Sequence, residues 1–170
     1  MTTDLFGTPI IDVFRGDYAF LSSFFLTDIT LWGVTFRSAE HAYQWSKTDD
    51  PKEKHSILWT LHIPSWSNPD PGDFEVPSTP GRAKKRGDLV TKRLDWDEIK
   101  YDKMLEIVRA KFEQNADLRA LLAATGDSIL IEGNMWHDNF WGSCTCSKCG
   151  SSGSNMLGRI LIQVRNENNA

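Results

Sequence analysis

The stretch Gly33–Lys47, GVTFRSAEHAYQWSK, decides the fold, because it passes from a strand-like segment directly into a polar helix. Ser38 is a good N-cap residue and predicts a helix over 38–47. Immediately upstream, the residues ITLWGVTF read as two strand halves with a hairpin turn at Trp32-Gly33. The stretch therefore predicts a β-hairpin followed by a short helix.

The polar residues of this predicted helix have two interpretations. Glu40, Gln44 and Lys47 are spaced i, i+4 and i+7, so they share one face, and His41 adjoins Glu40. The face could be solvated, with Glu40 and Lys47 linked along the helix. It could instead line a cleft and offer a carboxylate, an amide and an amine to a polar substrate.

Three more helices are predicted further along the chain. Asp95 can cap a helix over 96–113. Its apolar stripe consists of Tyr101, Met104, Leu105, Val108 and Phe112. A shorter leucine-rich helix follows, the last helix begins near Asn155, and short strands are expected near Asp12 and over 128–132. These elements predict the α+β fold class.

The length and composition of the chain predict one globular domain. It has 170 residues, 40% of them hydrophobic and 25% charged, which is typical of a folded domain and excludes wholesale disorder. With 19 basic and 23 acidic residues the net charge is −4, which argues against a general DNA-coating function. We therefore expect a single compact, mainly α-helical domain over 1–170, with its core at about 14–165.

Targeting and membrane signals are not found in the sequence. No apolar run approaches the roughly 18 residues of a membrane span. The first residues, MTTDLFGTPI, lack the basic start and the apolar stretch of a signal peptide. We therefore expect a cytoplasmic protein without a membrane partner.

A proline-rich stretch separates the N-terminal elements from the rest of the chain. Five of the seven prolines fall within 63–81, IPSWSNPDPGDFEVPSTPG. Prolines at this density break both helix and sheet. We interpret 61–80 as an inserted loop, and long loops of this kind are usually functional lids or tolerated insertions.

A basic segment follows at 81–93, GRAKKRGDLVTKR. It contains one acidic residue, and its basic residues are Arg82, Lys84, Lys85, Arg86, Lys92 and Arg93. In a protein of net negative charge this concentration indicates an anion site, most simply for phosphate. A charged helix surface is the alternative.

Asp138 and Trp141 belong to the motif DNFWG, which follows a strand-like segment and should form a loop at a strand end. A carboxylate beside a tryptophan suits a site that stabilises positive charge on a sugar while an aromatic base stacks. A turn anchored by a buried tryptophan is the alternative.

The three cysteines are clustered in CTCSKC as Cys144, Cys146 and Cys149, within the loop 143–154. Their number is odd and too small for a disulfide scaffold. Three thiolates could hold a structural zinc ion with a fourth ligand, for which His137 is nearest in sequence. Reduced cytosolic thiols without metal are the alternative. A redox C-x-x-C role is disfavoured, because no thioredoxin-like context surrounds the motif.

Several motifs occur in the order found in one protein family. They are FLSSFF (20–25), GVTFRSAEHAYQWSK (33–47), GRAKKRGD with LDWDEIK, KFEQNADLRALLAATGD, DNFWG and NMLGRILIQVR. The ordered set resembles the NADAR family, which includes the bacterial YbiA-like proteins. The resemblance runs from about Phe14 to Arg165 and so covers nearly the whole chain.

The resemblance implies a mainly α-helical α+β domain with N-glycosidase activity, which hydrolyses the bond between ribose or ribose phosphate and a nitrogenous base. YbiA-like members resemble enzymes that cleave phosphoribosylamino-pyrimidines, early riboflavin intermediates, and release ribose 5-phosphate. Other members remove ADP-ribose from guanine in nucleic acid, which is the alternative function. A module that binds ADP-ribose or a nucleotide without catalysis is a further alternative. No cofactor is implied for catalysis.

Matching the family's motifs residue by residue assigns most of the candidate site residues. The motifs SxEHxxQxxK, DxxWG and NxLG match Glu40, His41, Gln44, Lys47, Asp138, Trp141, Gly142, Asn155, Leu157 and Gly158. Glu40 and Asp138 are then the candidate catalytic carboxylates, one of them as base or charge stabiliser. In a second mechanism, Lys47 or Lys84 attacks the sugar and forms an imine.

The other matched residues are expected to bind substrate. Phe24 of FLSSFF and Trp141 would stack the base, and Asn155 at a helix N-terminus would orient ribose or phosphate. The remaining binding candidates are His41, Gln44, Gly142 and Gly158, with Arg82, Lys84 and Lys85 for the phosphate. The proline-rich stretch and the cysteine segment depart from the family's pattern, and both flank the proposed cleft.

Overall fold

The computed structural model describes residues 2–61, 75–150 and 153–168. The helices within these ranges are a 3₁₀ helix (Gly16–Leu21), α1 (Ala39–Ser46), α2 (Pro51–Leu58), α3 (Pro80–Gly87), α4 (Trp96–Glu113), α5 (Ala116–Ala124) and α6 (Met156–Asn168). The strands are β1 (Thr2–Thr3), β2 (Pro9–Ile11), β3 (Ile29–Leu31), β4 (Val34–Phe36), β5 (Trp59–Leu61), β6 (Glu75–Pro77), β7 (Ile129–Leu130), β8 (Gly133–Asn134) and β9 (Ser143–Cys144). The predicted α+β class, mainly helical with a few short strands, is confirmed.

The strands form small separate sheets rather than one large one. A three-stranded sheet has the order β1-β2-β7, in which β2 is antiparallel to β1 and parallel to β7. Three further pairs are β3-β4, β5-β6 and β8-β9, and only the last of these is parallel. In the β3-β4 hairpin both turn residues, Trp32 and Gly33, have positive φ, at 52° and 75°. This is the conformation of a tight hairpin turn, so the predicted turn is confirmed.

Helix α1 lies at the centre of the molecule. The Ser38 side chain caps it by accepting a hydrogen bond from the backbone N–H of His41, which confirms the predicted helix. Helices α2, α3 and α4 pack around it. Its polar residues are consequently buried: Glu40 is 5% exposed, Gln44 1% and Lys47 7%. The interpretation of this face as solvated is therefore wrong.

The hydrophobic core lies mainly between α1, α4, α5 and α6. Helix α4 covers the predicted range, but the Asp95 side chain accepts hydrogen bonds from Arg93 instead of capping the helix. Helix α6 contributes Leu157, Ile160, Leu161 and Val164 to this core. No helix in the described ranges is long and apolar enough to cross a membrane.

The proline-rich stretch falls largely on residues 62–74, which lie outside the described residues. In the described part of the stretch, 75–77 form β6 antiparallel to β5, and α3 begins at Pro80. Proline is well tolerated at the first position of a helix, and Thr79 caps the N-terminus through its side chain. The expectation of an irregular loop up to residue 80 is therefore wrong at this end.

Candidate active site

A cavity of about 270 Å³ brings together side chains of α1, α3, α4 and the loop between β8 and β9. Its lining residues are Ser23, Phe24, Glu40, Tyr43, Gln44, Lys84, Met104, Glu132, Trp136, Asp138, Trp141 and Leu157. An adjoining groove of about 1000 Å³ shares Phe24, Glu132 and Trp136 with the cavity. Three carboxyl groups, a lysine amine and several aromatic rings therefore line one space.

Glu40 is the most buried carboxyl group of this cavity. Gln44, one helical turn later, donates from Nε2 to Glu40 Oε1 at 2.7 Å, and Ser23 donates from Oγ to Oε2 at 3.1 Å. Burial raises the pKa of Glu40 above its ordinary value, while these hydrogen bonds and the charge of Lys84 oppose the rise. The carboxyl group is thus held in a fixed orientation at the cavity wall.

Glu132 is a second carboxyl group in the cavity. Its backbone N–H donates to Asn155 Oδ1 at 2.9 Å, and its carbonyl oxygen accepts from the Ser143 N–H at 2.9 Å. Burial raises the pKa of Glu132 to about 8, with a further contribution from the negative charges of Asp138 and Glu40. This side chain therefore holds a proton at neutral pH.

Asp138 organises the turn that carries the third carboxyl group. Its Oδ1 accepts the backbone N–H groups of Phe140 at 3.1 Å and Trp141 at 2.9 Å. Asn134 ties the turn down by donating from Nδ2 to the Asp138 carbonyl at 2.7 Å. The Trp141 indole packs edge-to-face on Tyr43 and donates from Nε1 to the Tyr43 hydroxyl at 3.2 Å. The motif is thus both a turn anchored by tryptophan and a wall of the cavity.

Lys111 on α4 is completely buried and supports the segment that leads into the cavity. Its Nζ donates to the carbonyl oxygens of Phe20 at 2.6 Å and Ser22 at 2.9 Å. Burial lowers the pKa of Lys111 to about 7. The lysine therefore fixes the backbone that brings Ser23 to the cavity.

The two lysines considered as nucleophiles have different positions. Lys47 Nζ donates to the Gly87 carbonyl at 3.3 Å and lies 3.8 Å from Asp88 Oδ1, and burial lowers the pKa of its amine. Lys84 lines the cavity, whereas Lys47 is not among the lining residues. Of the two lysines, only Lys84 lines the cavity, although Lys47 lies near enough to Glu40 for their charges to interact.

His41 does not line the cavity. Its Nδ1 lies 2.8 Å from Ser38 Oγ, and its Nε2 lies 2.9 Å from the Ser78 carbonyl oxygen. A carbonyl only accepts, so Nε2 carries the proton and Nδ1 accepts from the Ser38 hydroxyl. Burial lowers the pKa of His41, which favours this neutral form. His41 therefore ties α1 to the residues before α3 and is not among the residues that line the cavity.

Only one of the basic residues of α3 lines the cavity. Arg82 is exposed and donates from Nη1 to Thr60 Oγ1 at 3.0 Å, and Lys85 is exposed on the surface. Of the three side chains predicted to attract phosphate, only Lys84 lines the cavity. Arg15, which sequence reasoning did not select, lines the adjoining groove.

Gly142, Asn155 and Gly158 lie behind the cavity lining. Asn155, with φ at 50°, donates from Nδ2 to the Leu130 carbonyl at 2.8 Å and accepts the Glu132 N–H. A Cβ on Gly158 would collide with the Leu130 carbonyl oxygen, and one on Gly142 with the Glu132 carbonyl oxygen. These residues allow close approach to the end of β7 and so position Glu132.

The four residues of the predicted zinc site lie together at one end of the β8-β9 pair. One ligand atom from each of His137, Cys144, Cys146 and Cys149 lies within 4.8 Å of the other three. Three thiols and an imidazole are a donor set that suits zinc. The cluster adjoins the cavity, because Asp138 follows His137 directly in the chain.

Sequence reasoning assigned no site role to half of the residues that line the cavity, although Leu157 belongs to the matched NxLG motif. They are Ser23, Tyr43, Met104, Glu132, Trp136 and Leu157. Two signals were available for them. Trp136 and Trp141 flank Asp138 within a few residues, and Glu132 ends a short strand at the point where a polar loop begins.

Three comparisons with known proteins agree on one family. The family model described as the NADAR domain matches residues 13–168. An N-glycosidase from Nostoc punctiforme is 34% identical over 152 residues, covering 88% of this chain and 85% of that protein. A riboflavin biosynthesis protein from Vibrio vulnificus is 34% identical over 151 residues, covering 89% of this chain but only 36% of that longer protein.

A solved structure supports the same relationship at the level of fold. The Escherichia coli N-glycosidase YbiA is 32% identical over 153 residues, covering 89% of this chain and 82% of that protein. The NMR structure of E. coli YbiA superposes with a TM-score of 0.70 at 29% identity, covering 98% of this chain and 86% of that chain. The fold described above is therefore the fold of YbiA.

Proposed function

This chain belongs to the NADAR domain family, and we propose that it is a YbiA-like N-glycosidase. Its substrate is a phosphoribosylamino-pyrimidine of riboflavin biosynthesis, and its products are ribose 5-phosphate and the free pyrimidine. The observation that carries this proposal is the cavity that combines three carboxyl groups, Lys84 and aromatic rings. Each step of an N-glycosidase reaction can be assigned to one of these groups.

The first requirement is stabilisation of the sugar cation. Breaking the bond from C1′ to nitrogen develops positive charge on C1′ and the ring oxygen, and a nearby carboxylate lowers the energy of that state. Glu40 is the best-positioned group, because Gln44 and Ser23 hold both of its oxygens. Asp138 is the second carboxylate, and its Oδ1 is held by two backbone N–H groups.

The second requirement is a proton for the leaving nitrogen. A general acid must hold its proton at the working pH, and the most effective acids have pKa values near that pH. Glu132, with its pKa raised to about 8, meets this condition. We assign Glu132 as the group that protonates or hydrogen-bonds the departing base.

The third requirement is a surface for the base. Phe24, Trp136 and Trp141 line the cavity, and aromatic rings offer stacking to a planar pyrimidine. Phe24 and Trp136 also face the adjoining groove, where Arg15 supplies a positive charge for a phosphate group. The groove gives room for the part of the substrate that extends beyond the ribose.

Two nucleophiles are compatible with this arrangement. Water activated by Glu40 would attack C1′ directly. In the other route, the Lys84 amine bonds to C1′, the base leaves with a proton, and the sugar ring opens to an imine that water then hydrolyses. Both routes release the same products, but only the second gives a lysine adduct that borohydride can reduce.

We further infer a cytoplasmic enzyme without a catalytic cofactor or a membrane partner. Phosphorylated ribosides are made and kept inside cells, and clustered cysteines stay reduced in that compartment. Nucleic acid would be a partner only in the alternative function, as the carrier of ADP-ribosylated guanine.

A two-substrate hydrolysis assay tests the proposal. The purified protein is incubated separately with the phosphoribosylamino-pyrimidine and with ADP-ribosylated guanine, and the released sugar is identified by mass spectrometry. We expect ribose 5-phosphate from the first substrate, loss of release in Glu40→Gln, and normal release in Glu98→Gln, an exposed carboxyl of α4. Release of ADP-ribose alone would establish the alternative function, and no release from either substrate would leave ligand binding as the function.

A borohydride experiment separates the two nucleophiles. Reduction during turnover should add the mass of the sugar to Lys84 if the imine forms, and Lys84→Met should abolish the adduct. Lys52→Met is the matched control, because Lys52 is an exposed lysine on α2. Turnover without any lysine adduct would assign the reaction to water.

A further inference from the structure

We propose that His137, Cys144, Cys146 and Cys149 bind one structural zinc ion, and that this ion fixes the loop that forms one wall of the cavity. The four ligand atoms lie within 4.8 Å of one another, although the residues are spread over thirteen positions of the chain. No other group of three or more potential ligand residues lies this close together in the part of the chain that the structure describes.

The distances agree with a tetrahedral site. Zinc bonds of about 2.3 Å to sulfur and about 2.0 Å to nitrogen place a tetrahedral nitrogen and sulfur about 3.6 Å apart. The distances from His137 Nδ1 to the Sγ atoms of Cys149, Cys146 and Cys144 are 3.2, 3.4 and 4.0 Å. These values lie on both sides of the expected separation, so small side-chain rotations suffice to accommodate the ion.

The backbone presents the ligands in the manner of a zinc knuckle. Between Cys146 and Cys149 the chain turns tightly, and the N–H groups of Cys149 and Gly150 both donate to the Cys146 carbonyl, at 3.1 and 3.2 Å. Gly150 has φ at 64°, and His137 adopts the left-handed conformation at 67° although it is not glycine. A histidine in this conformation carries a strain cost, which ligation of a metal would offset.

The chemistry of the four ligands selects the metal. Thiolate and imidazole are ligands for zinc, whereas magnesium and calcium require oxygen ligands. Four protein ligands would fill a tetrahedral zinc site and leave no position for water, which is the arrangement of structural rather than catalytic zinc. The ion would therefore take no part in the bond cleavage.

The position of the cluster explains what the ion would stabilise. Trp136 and Asp138 flank His137 in the chain, and both line the cavity. Cys144 lies in β9, which pairs with β8 at Asn134. A bond from His137 through zinc to Cys144 would close the loop between these strands and limit the movement of both cavity residues. The role of the ion in fixing the cavity wall rests on the proposed function, whereas zinc binding itself does not.

Zinc content of the full-length protein tests the site directly. The protein is made without a metal-binding tag, purified under reducing conditions without chelators, and analysed for metal by elemental mass spectrometry. We expect one zinc per chain, and replacement by cobalt should give the sulfur-to-cobalt charge-transfer absorption of a thiolate site. Less than about 0.1 zinc per chain after incubation with excess zinc would overturn the proposal, as would a disulfide among the cysteines in protein purified from cells.

Variants test the ligand set. His137→Ala should weaken zinc binding by more than the roughly 10- to 100-fold that loss of a supporting residue costs. His55→Ala is the matched control, because His55 is an exposed histidine that contacts Glu75 and should leave zinc affinity unchanged. Equal zinc affinity in His137→Ala and the wild type would overturn the ligand set. If a variant fails to fold, the cobalt spectrum of the wild type still decides the proposal, and neither measurement depends on hydrolysis.

Discussion

Replacing Glu132 with glutamine should change how the stability of the protein depends on pH. Burial and the neighbouring carboxylates of Asp138 and Glu40 raise the pKa of Glu132 to about 8 in the folded protein. In the unfolded chain the same group releases its proton near its ordinary pKa of 4.5. Glutamine has nearly the same shape and cannot ionise, so Glu132→Gln removes this difference without opening a cavity.

The sign and size of the effect follow from proton linkage. Between pH 4.5 and 8 the folded state of the wild type binds more protons at Glu132 than the unfolded state, so its stability falls as the pH rises. At about 1.36 kcal/mol per pKa unit, the full difference amounts to roughly 5 kcal/mol. Because the cavity opens to solvent, which screens the charge, we expect about 2–5 kcal/mol.

Urea unfolding of wild type and variant at pH 5 and pH 9 measures this difference. The two proteins should have similar stability at pH 5, and Glu132→Gln should be the more stable by about 2–5 kcal/mol at pH 9. Taking the difference between the two proteins cancels the contributions of all ionisable groups that both contain. Glu98→Gln, at an exposed carboxyl group, is the control and should show no such dependence on pH. A stability difference that stays constant between the two pH values would refute the assignment of Glu132 as a protonated group.

Three other predictions concern residues around the cavity. Lys111→Met should show the opposite pH dependence. In the wild type the folded lysine releases its proton near pH 7 and the unfolded lysine near pH 10.5. The wild type should therefore gain stability relative to the variant as the pH rises between these values, which urea unfolding at several pH values would measure. Gly158→Ala should lower the free energy of unfolding by about 1–3 kcal/mol through its collision with the end of β7, whereas Gly81→Ala, with no neighbour within 4 Å, should change it by less than about 0.5 kcal/mol. Glu40→Gln should lower kcat by about 10²- to 10⁴-fold, measured by release of the sugar; an unchanged kcat would exclude this carboxyl from the chemistry.

The sequence predicted the local elements better than the site they build. A capping serine at Ser38 and the Trp32-Gly33 turn depend on neighbouring residues only, so both could be read directly. The contact of His41 with Ser78 joins residues 37 positions apart and has no sequence signal. The sequence placed Glu132 at the end of a predicted strand, but its burial was missed because it depends on the approach of α6 and the DNFWG turn to the end of β7.

Family motifs also failed to separate residues that face the cavity from residues that support it. Asn155 and Gly158 were predicted to bind substrate because they belong to the NxLG motif. In the structure Asn155 hydrogen-bonds the backbone on both sides of the β7 end, and Gly158 allows α6 to approach it. A family motif contains both residues that face the site and residues that support the fold around it. Only the tertiary structure shows which of the two roles each residue has.

The large and opposite pKa shifts of Glu132 and Lys111 indicate why the fold keeps two buried ionisable groups that lower its stability. Near neutral pH the fold holds Glu132 protonated and buries the amine of Lys111, and both choices reduce stability relative to an apolar core. Lys111 fixes the segment that brings Ser23 to Glu40, and Glu132 lines the same cavity. Both groups that lower the stability therefore shape the same cavity. Perturbed ionisable groups are expected to cluster in this way at a functional site, whereas residues that only fill a core are apolar.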